Sequence, residues 1–184
     1  MSIKSLSILS AVAAAALLSA CGSMTPMAPV FTQAGLPAAV MVPAGNKVAL
    51  ESVGVGELTY ECRDKANAPG MTEWVFVGPQ AALNDRSGKQ IGKYYGPPAT
   101  WEAMDGSKIT GTQVAVSPAG PGNIPLQLVK ANPAMGTGAM TGMTFIQRVA
   151  IKGGAAPTSS CTPANKGTKE IVKYQADYIF WKAA

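Results

Sequence analysis

The sequence predicts an all-β protein, a single-domain antiparallel β-sandwich or small barrel with long Gly/Pro-rich loops. Three observations predict it. Charged residues are 14% of the 184-residue chain while Gly and Pro number 20 and 14, a composition that suits short strands joined by many turns. Runs rich in Val, Leu and aromatic residues recur at period two, the spacing at which alternate side chains share one face of a strand. No long segment carries the apolar stripe of an amphipathic helix.

The elements follow in order from Ala38. Residues 40–42 and 47–51 read as short strands, and Gly54 and Gly56 break the run. Residues 57–62 (ELTYEC) set Leu58, Tyr60 and Cys62 on one face against Glu57, Thr59 and Glu61 on the other, as in a half-buried antiparallel strand. Residues 73–77 form a strand stopped by Gly78-Pro79. Residues 84–88 (NDRSG) are turn chemistry, with Gly88 suited to a positive φ. A strand over 91–95 is closed by Gly96-Pro97-Pro98. Residues 100–104 and 107–116 flank Asp105-Gly106, a dipeptide that fits a type I′ hairpin turn. Residues 118–122 are a loop. Strands at 125–130 and 143–152 enclose a Gly-rich stretch, 132–142, and a second long loop covers 153–167. The last element, 170–182, places Val172, Tyr174, Ala176, Tyr178 and Phe180 on one face, with Lys173, Gln175 and Asp177 on the other. The total is nine or ten short strands.

The N-terminus reads differently. In residues 1–20, Lys4 precedes an almost unbroken apolar stretch from Leu6 to Ala20, the layout of a secretory signal peptide. A membrane span needs about twenty apolar residues, and Ser7, Ser10 and Ser19 interrupt this shorter run. It ends on Leu18-Ser19-Ala20-Cys21, which resembles the lipobox of bacterial lipoproteins. The resemblance implies that the Cys21 thiol is acylated and becomes the first mature residue. Two or more acyl chains make a durable membrane anchor, one only a marginal one. Gly22 in place of an acidic residue implies the outer membrane, with the protein facing the periplasm. The alternative is an ordinary cleaved signal with Cys21 an early mature residue. Residues 21–37, with three prolines, then read as the lipidated cysteine and a flexible tether, and 38–184 as the β-rich domain. A competing reading lays the segment along the domain through Val30 and Phe31.

Setting Cys21 aside leaves Cys62 and Cys161, an even count in an oxidising compartment, which predicts a disulfide. The absence of a CxxC spacing and of any histidine argues against a redox or metal pair. The bond ties an early strand to the loop before the last one, so the two ends of the domain are expected to lie near each other. The chain carries 15 basic and 10 acidic residues in no like-charged block, which gives no footprint for nucleic acid. The expected partners are the membrane, through the anchor, and an unidentified envelope protein or glycan.

The missing histidine removes Ser-His-Asp and Cys-His catalysis and the commonest metal ligand. Gly54-Val55-Gly56 is followed at position 59 by Thr, so the dinucleotide fingerprint fails, and no phosphate-binding loop exists. No cofactor, metal or catalytic activity is expected. The surviving enzymatic reading is a hydrolase of envelope polysaccharide using paired carboxylates, Glu57 with Glu61 or Glu102 with Asp105, although solvated strand faces carry such residues routinely. Trp101, Tyr94 and Tyr95 gather with Trp74 around Gly96-Pro97-Pro98 and, with Arg148, form a candidate ligand surface. The alternative assigns Trp74 and one Tyr to the core, Trp101 to support of its hairpin, and Arg148 to a partly buried structural pair.

A series of residues then carries a family resemblance: Tyr60 with Cys62; Trp74 and Phe76 before Gly78-Pro79; Leu83, Asp85 and Gly88; and Ile91-Gly92. It continues through Gly96-Pro97, Trp101, Asp105-Gly106-Ser107, Gly111, Ile124-Pro125 and Ile146-Gln147-Arg148-Val149, to Gly153-Gly154, Cys161 and Tyr174-Gln175-Ala176-Asp177-Tyr178. In this order they resemble domain of unknown function family 3455, of bacterial and fungal secreted proteins, over nearly the whole mature chain. The resemblance implies a secreted β-rich domain with no established activity. The resemblance leads one to expect His in many relatives where Tyr94 stands and Trp near Leu126 or Gln127, which implies that chemistry needing that imidazole is absent here. The expectation is an envelope lipoprotein with a binding or structural role in the periplasm.

Overall fold

The computed structural model describes residues 31–184; the signal peptide, Cys21 and the first part of the expected tether lie outside the described residues. Eight strands carry the alternation read from the sequence: β1 (Asn46–Asp64), β2 (Thr72–Asn84), β3 (Gln90–Tyr95), β4 (Thr100–Ala103), β5 (Lys108–Ser117), β6 (Leu126–Ala131), β7 (Met143–Gly153) and β8 (Lys169–Ala183). Each pairs antiparallel with its neighbour in sequence, and β1 pairs with β8, so the sheet closes on itself. Of the two predicted all-β architectures, the closed ring is the one formed, and closure leaves no free sheet edge. The ring is uneven. The β1–β8 ladder runs from Asn46 to Glu61, whereas β4 meets β5 only over Thr100–Glu102. Among the described residues there is no α-helix, only the 3-10 turns Ala38–Val40 and Pro163–Asn165.

Two expected strand breaks are absent. β1 passes straight through Gly54 and Gly56. Both glycines are on the inward face, where a Cβ at Gly54 would stand 2.6 Å from the Tyr178 ring and one at Gly56 would meet the backbone of Ala81. They make room for rings and for a neighbouring strand; they do not end the element. Gly78-Pro79 lies inside β2 as well. Pro79 faces Leu58 on β1, and β2 gains its other neighbour, β3, only from Gln80 onward. The missing N–H therefore falls where no second ladder needs it.

The 40–42 strand is replaced by the 3-10 turn and an extended exit. The Asp105-Gly106 hairpin forms, but only Gly106 has a positive φ (83°), and its N–H bonds the Ala103 carbonyl at 3.0 Å. A type I′ turn needs both central residues left-handed; here the glycine follows the turn as a bulge instead.

Alternation along closed strands divides the packing in two. Leu58, Tyr94, Trp101, Ile146, Tyr178 and Phe180 belong to a cluster fed by all eight strands, which is the interior of the ring. Val149, Ile179 and Trp181 point outward and are covered by Val40, Val42, Leu36 and Phe31. Within residues 31–37, expected as the end of a tether, Phe31 and Leu36 pack on the outer wall; Val30 of the competing reading lies outside the described residues. Gln147 secures them. Fully buried, its amide donates to the Val40 carbonyl (2.6 Å) and Gln33 Oε1 (2.8 Å), and its oxygen accepts from Trp181 Nε1 (2.9 Å). All of these groups would be costly to bury unpaired.

Cys62 and Cys161 are bonded, with Cα atoms 5.4 Å apart, as cysteine parity predicted. The bridge joins the end of β1 to the 155–168 loop, and the β1–β8 ladder brings Asn46 opposite Ala183, so the domain ends meet. Thr72 Oγ1 donates to the Cys161 carbonyl (2.9 Å) and Trp74 Nε1 to that of Ser159 (2.8 Å), which fixes this loop over the end of the ring.

Candidate functional site

The ring interior is not completely filled. A cavity of about 400 Å³ is lined by residues from β1 to β7, among them Tyr60, Phe76, Tyr94, Trp101, Gln127 and Arg148. These residues lie toward the ends of β1 and β3 and the beginnings of β2 and β4, so the cavity sits toward one end of the ring. The described chain begins nearer the other end, where the Phe31 N–H bonds Glu51 Oε1 at 2.9 Å and its ring meets Trp181 edge-on.

Three of the four candidate ligand residues line this cavity. Tyr94 and Trp101 are stacked at 4.8 Å with 19° between their planes, and Tyr178 packs against both at 5.1 and 6.0 Å. Register explains the pairing: Tyr94 of β3 lies opposite Trp101 of β4, and both point inward. Trp101 is 2% exposed and Tyr94 5%, so both belong to the interior wall, and Tyr94 is the tyrosine that the alternative reading assigned to the core. Tyr95 is separated from them, because neighbours on a strand face opposite sides of the sheet. It lies on the outer wall, its hydroxyl 2.7 Å from Glu102, whose other oxygen is 3.1 Å from Lys93 Nζ. Those two contacts hold the Glu102 carboxyl below its ordinary range, the Tyr95 hydrogen bond first and Lys93 second.

Arg148 of β7 sits between Gln127 of β6 and Tyr178 of β8, on the inward face it shares with Ile146. Its Nε and Nη2 donate to the Pro125 carbonyl at 3.3 and 2.9 Å; the structural ion pair considered from the sequence is not formed among the described residues. Burial pushes the Tyr60, Tyr94, Tyr174 and Tyr178 hydroxyls above their ordinary range, and the Arg148 charge pulls each back in part. These phenols are therefore neutral, and they surround the guanidinium without neutralising it. Tyr60 donates to the Gly154 carbonyl (2.7 Å), Tyr174 and Tyr178 share a 3.1 Å contact, and Gln127 Nε2 donates to Gln113 Oε1 (2.7 Å).

The carboxylates considered for hydrolysis lie elsewhere. Glu61 binds Arg63 and Lys169, Glu102 is on the outer wall, and Asp105 accepts from the Ser107 and Ala139 N–H groups at 2.9 and 2.7 Å. None lines the interior cavity. A larger space, about 750 Å³, is an open groove including Val55, Glu57, Gln80, Lys93 and Tyr95. It offers far less enclosure of a ligand.

Tyr60 as a wall residue was legible in the inward face of 57–62. Phe76, Gln113 and Gln127 carried no such signal, since only the pairing of non-adjacent strands brings them to the cavity. A family model described as "Protein of unknown function (DUF3455)" matches residues 43–182, from just before β1 to near the end of β8. No curated protein and no solved structure matches the chain. The chain belongs to the DUF3455 family.

Proposed function

We propose that this DUF3455 protein is a lipid-anchored component of the bacterial envelope that binds a small organic ligand inside its ring. The observation that carries the reading is the interior cavity, with an apolar and aromatic wall and a few polar groups, the usual make-up of a small-molecule site. The Leu18-Ser19-Ala20-Cys21 order supports attachment through Cys21, and Gly22 supports the outer membrane and the periplasm as the setting. The strap of residues 31–42 and the disulfide support a rigid container, since both ends of the domain are fastened to the wall.

The test uses the chain from residue 22, which keeps the whole closed ring, exported without its lipid. A panel of fragment-sized aromatic and aliphatic molecules is titrated against tryptophan emission and thermal midpoint. At least one is expected to bind, and Ala99→Phe, which projects a ring into the cavity, should abolish that binding while the fold persists by far-UV circular dichroism. Binding that survives Ala99→Phe, or a panel with no ligand at all, would overturn the reading.

A further inference from the structure

We propose that the interior cavity selects a small organic monoanion, a carboxylate on an apolar or aromatic body, and that Arg148 is its anion-binding group. The proposal rests on the cavity being a ligand site. The chain has three arginines. Arg63 pairs with Glu61, and Arg86 with Glu51 and Asp177, through contacts of 2.6 to 3.1 Å. Arg148 alone has no carboxylate partner among the described residues, although it is the one that faces the ring interior. Its Nη1 makes no hydrogen bond among the described residues, and no Asp or Glu lines the cavity. Arg148 is half-buried at the cavity wall, and its open donors can make charge-assisted hydrogen bonds to an anion that enters.

A second unused group of the cavity is also a donor. The Trp101 indole N–H is buried with no acceptor among the described residues, and an indole can only donate. Three acceptors nearby are engaged: Gln113 Oε1 takes the Gln127 amide, the Gly154 carbonyl takes the Tyr60 hydroxyl, and the Pro125 carbonyl takes Arg148 itself; Gln127 Oε1 stays open as a neutral acceptor. The Arg148 guanidinium and the Trp101 N–H can only donate, so a ligand that meets both brings acceptor oxygens. One guanidinium balances one charge, which favours a monoanion over a phosphate dianion. Leu58, Ile124, Val129 and the Tyr94–Trp101 stack provide the apolar remainder of the site.

The test compares three probes of one shape, 2-naphthoate, 2-naphthamide and 2-naphthylmethylammonium, by tryptophan emission and calorimetry on the chain from residue 22. Naphthoate is expected to bind at least about tenfold tighter than the amide, and the ammonium weakest, because a hydrogen bond to a charged group is worth about tenfold to a hundredfold in affinity. Arg148→Gln should bring naphthoate down to the level of the amide, leaving the amide unchanged, and Arg148→Lys should restore part of the preference. A purely structural Arg148 would instead weaken both probes alike. Should Arg148→Gln fail to fold, salt decides on the unaltered protein: naphthoate affinity should fall with ionic strength and amide affinity should not. Equal binding of acid and amide overturns anion selection while leaving a ligand cavity. Failure of all three probes to enter, with Ala99→Phe also without effect on any ligand, overturns both readings.

Discussion

Removing the Cys62–Cys161 bridge as Cys62→Ala/Cys161→Ala should lower stability by acting mainly on the unfolded chain. The bond spans 99 residues, nearly the whole circuit of the ring. For a closed loop of about 100 residues the chain-entropy model gives up to ~4.7 kcal/mol, and removal of native disulfides generally costs ~2–5 kcal/mol. The folded junction has other fastenings: β1 and β8 stay paired from Asn46 to Glu61, and the Cys62 N–H and carbonyl bond Thr168 and Gly167 at 3.0 and 2.8 Å. The native wall should therefore persist without the bond. We expect a loss of about 3–4.7 kcal/mol in urea denaturation of the chain from residue 22, which at ~2–4 °C per kcal/mol for a domain of this size lowers the thermal midpoint by roughly 6–19 °C. The near-UV circular dichroism should be retained and the m-value should rise, because an unfolded chain freed of its cross-link exposes more surface. A loss below about 1 kcal/mol with an unchanged m-value would refute the argument from the unfolded state. Collapse of the near-UV spectrum would show that the bond holds the native wall.

Three further outcomes are expected. Gly54→Ala should destabilise by about 1–2 kcal/mol, since overpacking a close contact costs ~1–3 kcal/mol and the Tyr178 ring that a Cβ would meet is held by Tyr94 and Trp101; equal or greater stability in urea would contradict the role given to this glycine. The Ser107 hydroxyl, then the Ala139 and Ser107 N–H groups, hold the Asp105 carboxyl below its ordinary value. Its contribution is therefore complete above the unfolded aspartate pKa of about 3.9 and is lost as pH falls through the lower folded value. Asp105→Asn should flatten that acid limb in denaturation curves taken between about pH 5 and pH 2, with Asp85, lowered in the same way by Ser87 first, supplying part of the remaining slope. Cys21→Ala should abolish lipidation, read as loss of radiolabelled palmitate incorporation; unchanged labelling would remove the anchor from the proposed function.

Much of the fold could be read locally. The inward set Leu58, Tyr60 and Cys62 is buried, and of the set Val172, Tyr174, Ala176, Tyr178 and Phe180 all but the half-buried Val172 are buried as their period-two spacing required, because alternation is a property of one strand. Gly88 has the positive φ expected of it, 89°, because a turn is set by a few adjacent residues. Gly54, Gly56 and Gly78-Pro79 misled for the complementary reason. Whether a glycine or proline ends a strand depends on what stands across from it, here the Tyr178 ring, the Ala81 backbone and the late start of β3 pairing.

By itself, then, the sequence determined the all-β class, the inward faces of the first and last strands, and, through the cysteine count, the bridge between them. It also carried the series of residues by which the chain is a DUF3455 protein. Tertiary structure alone decided that the sheet closes, that Tyr94 and Trp101 form an inner wall while Tyr95 faces out, and that Arg148 meets them without a carboxylate. It also decided that residues 31–42 cover Ile179 and Trp181. The physical reason is that side-chain direction repeats along a single chain segment, while the company a side chain keeps is set by register between strands distant in sequence. Closure of β1 on β8 is the step that turns eight inward faces into one cavity.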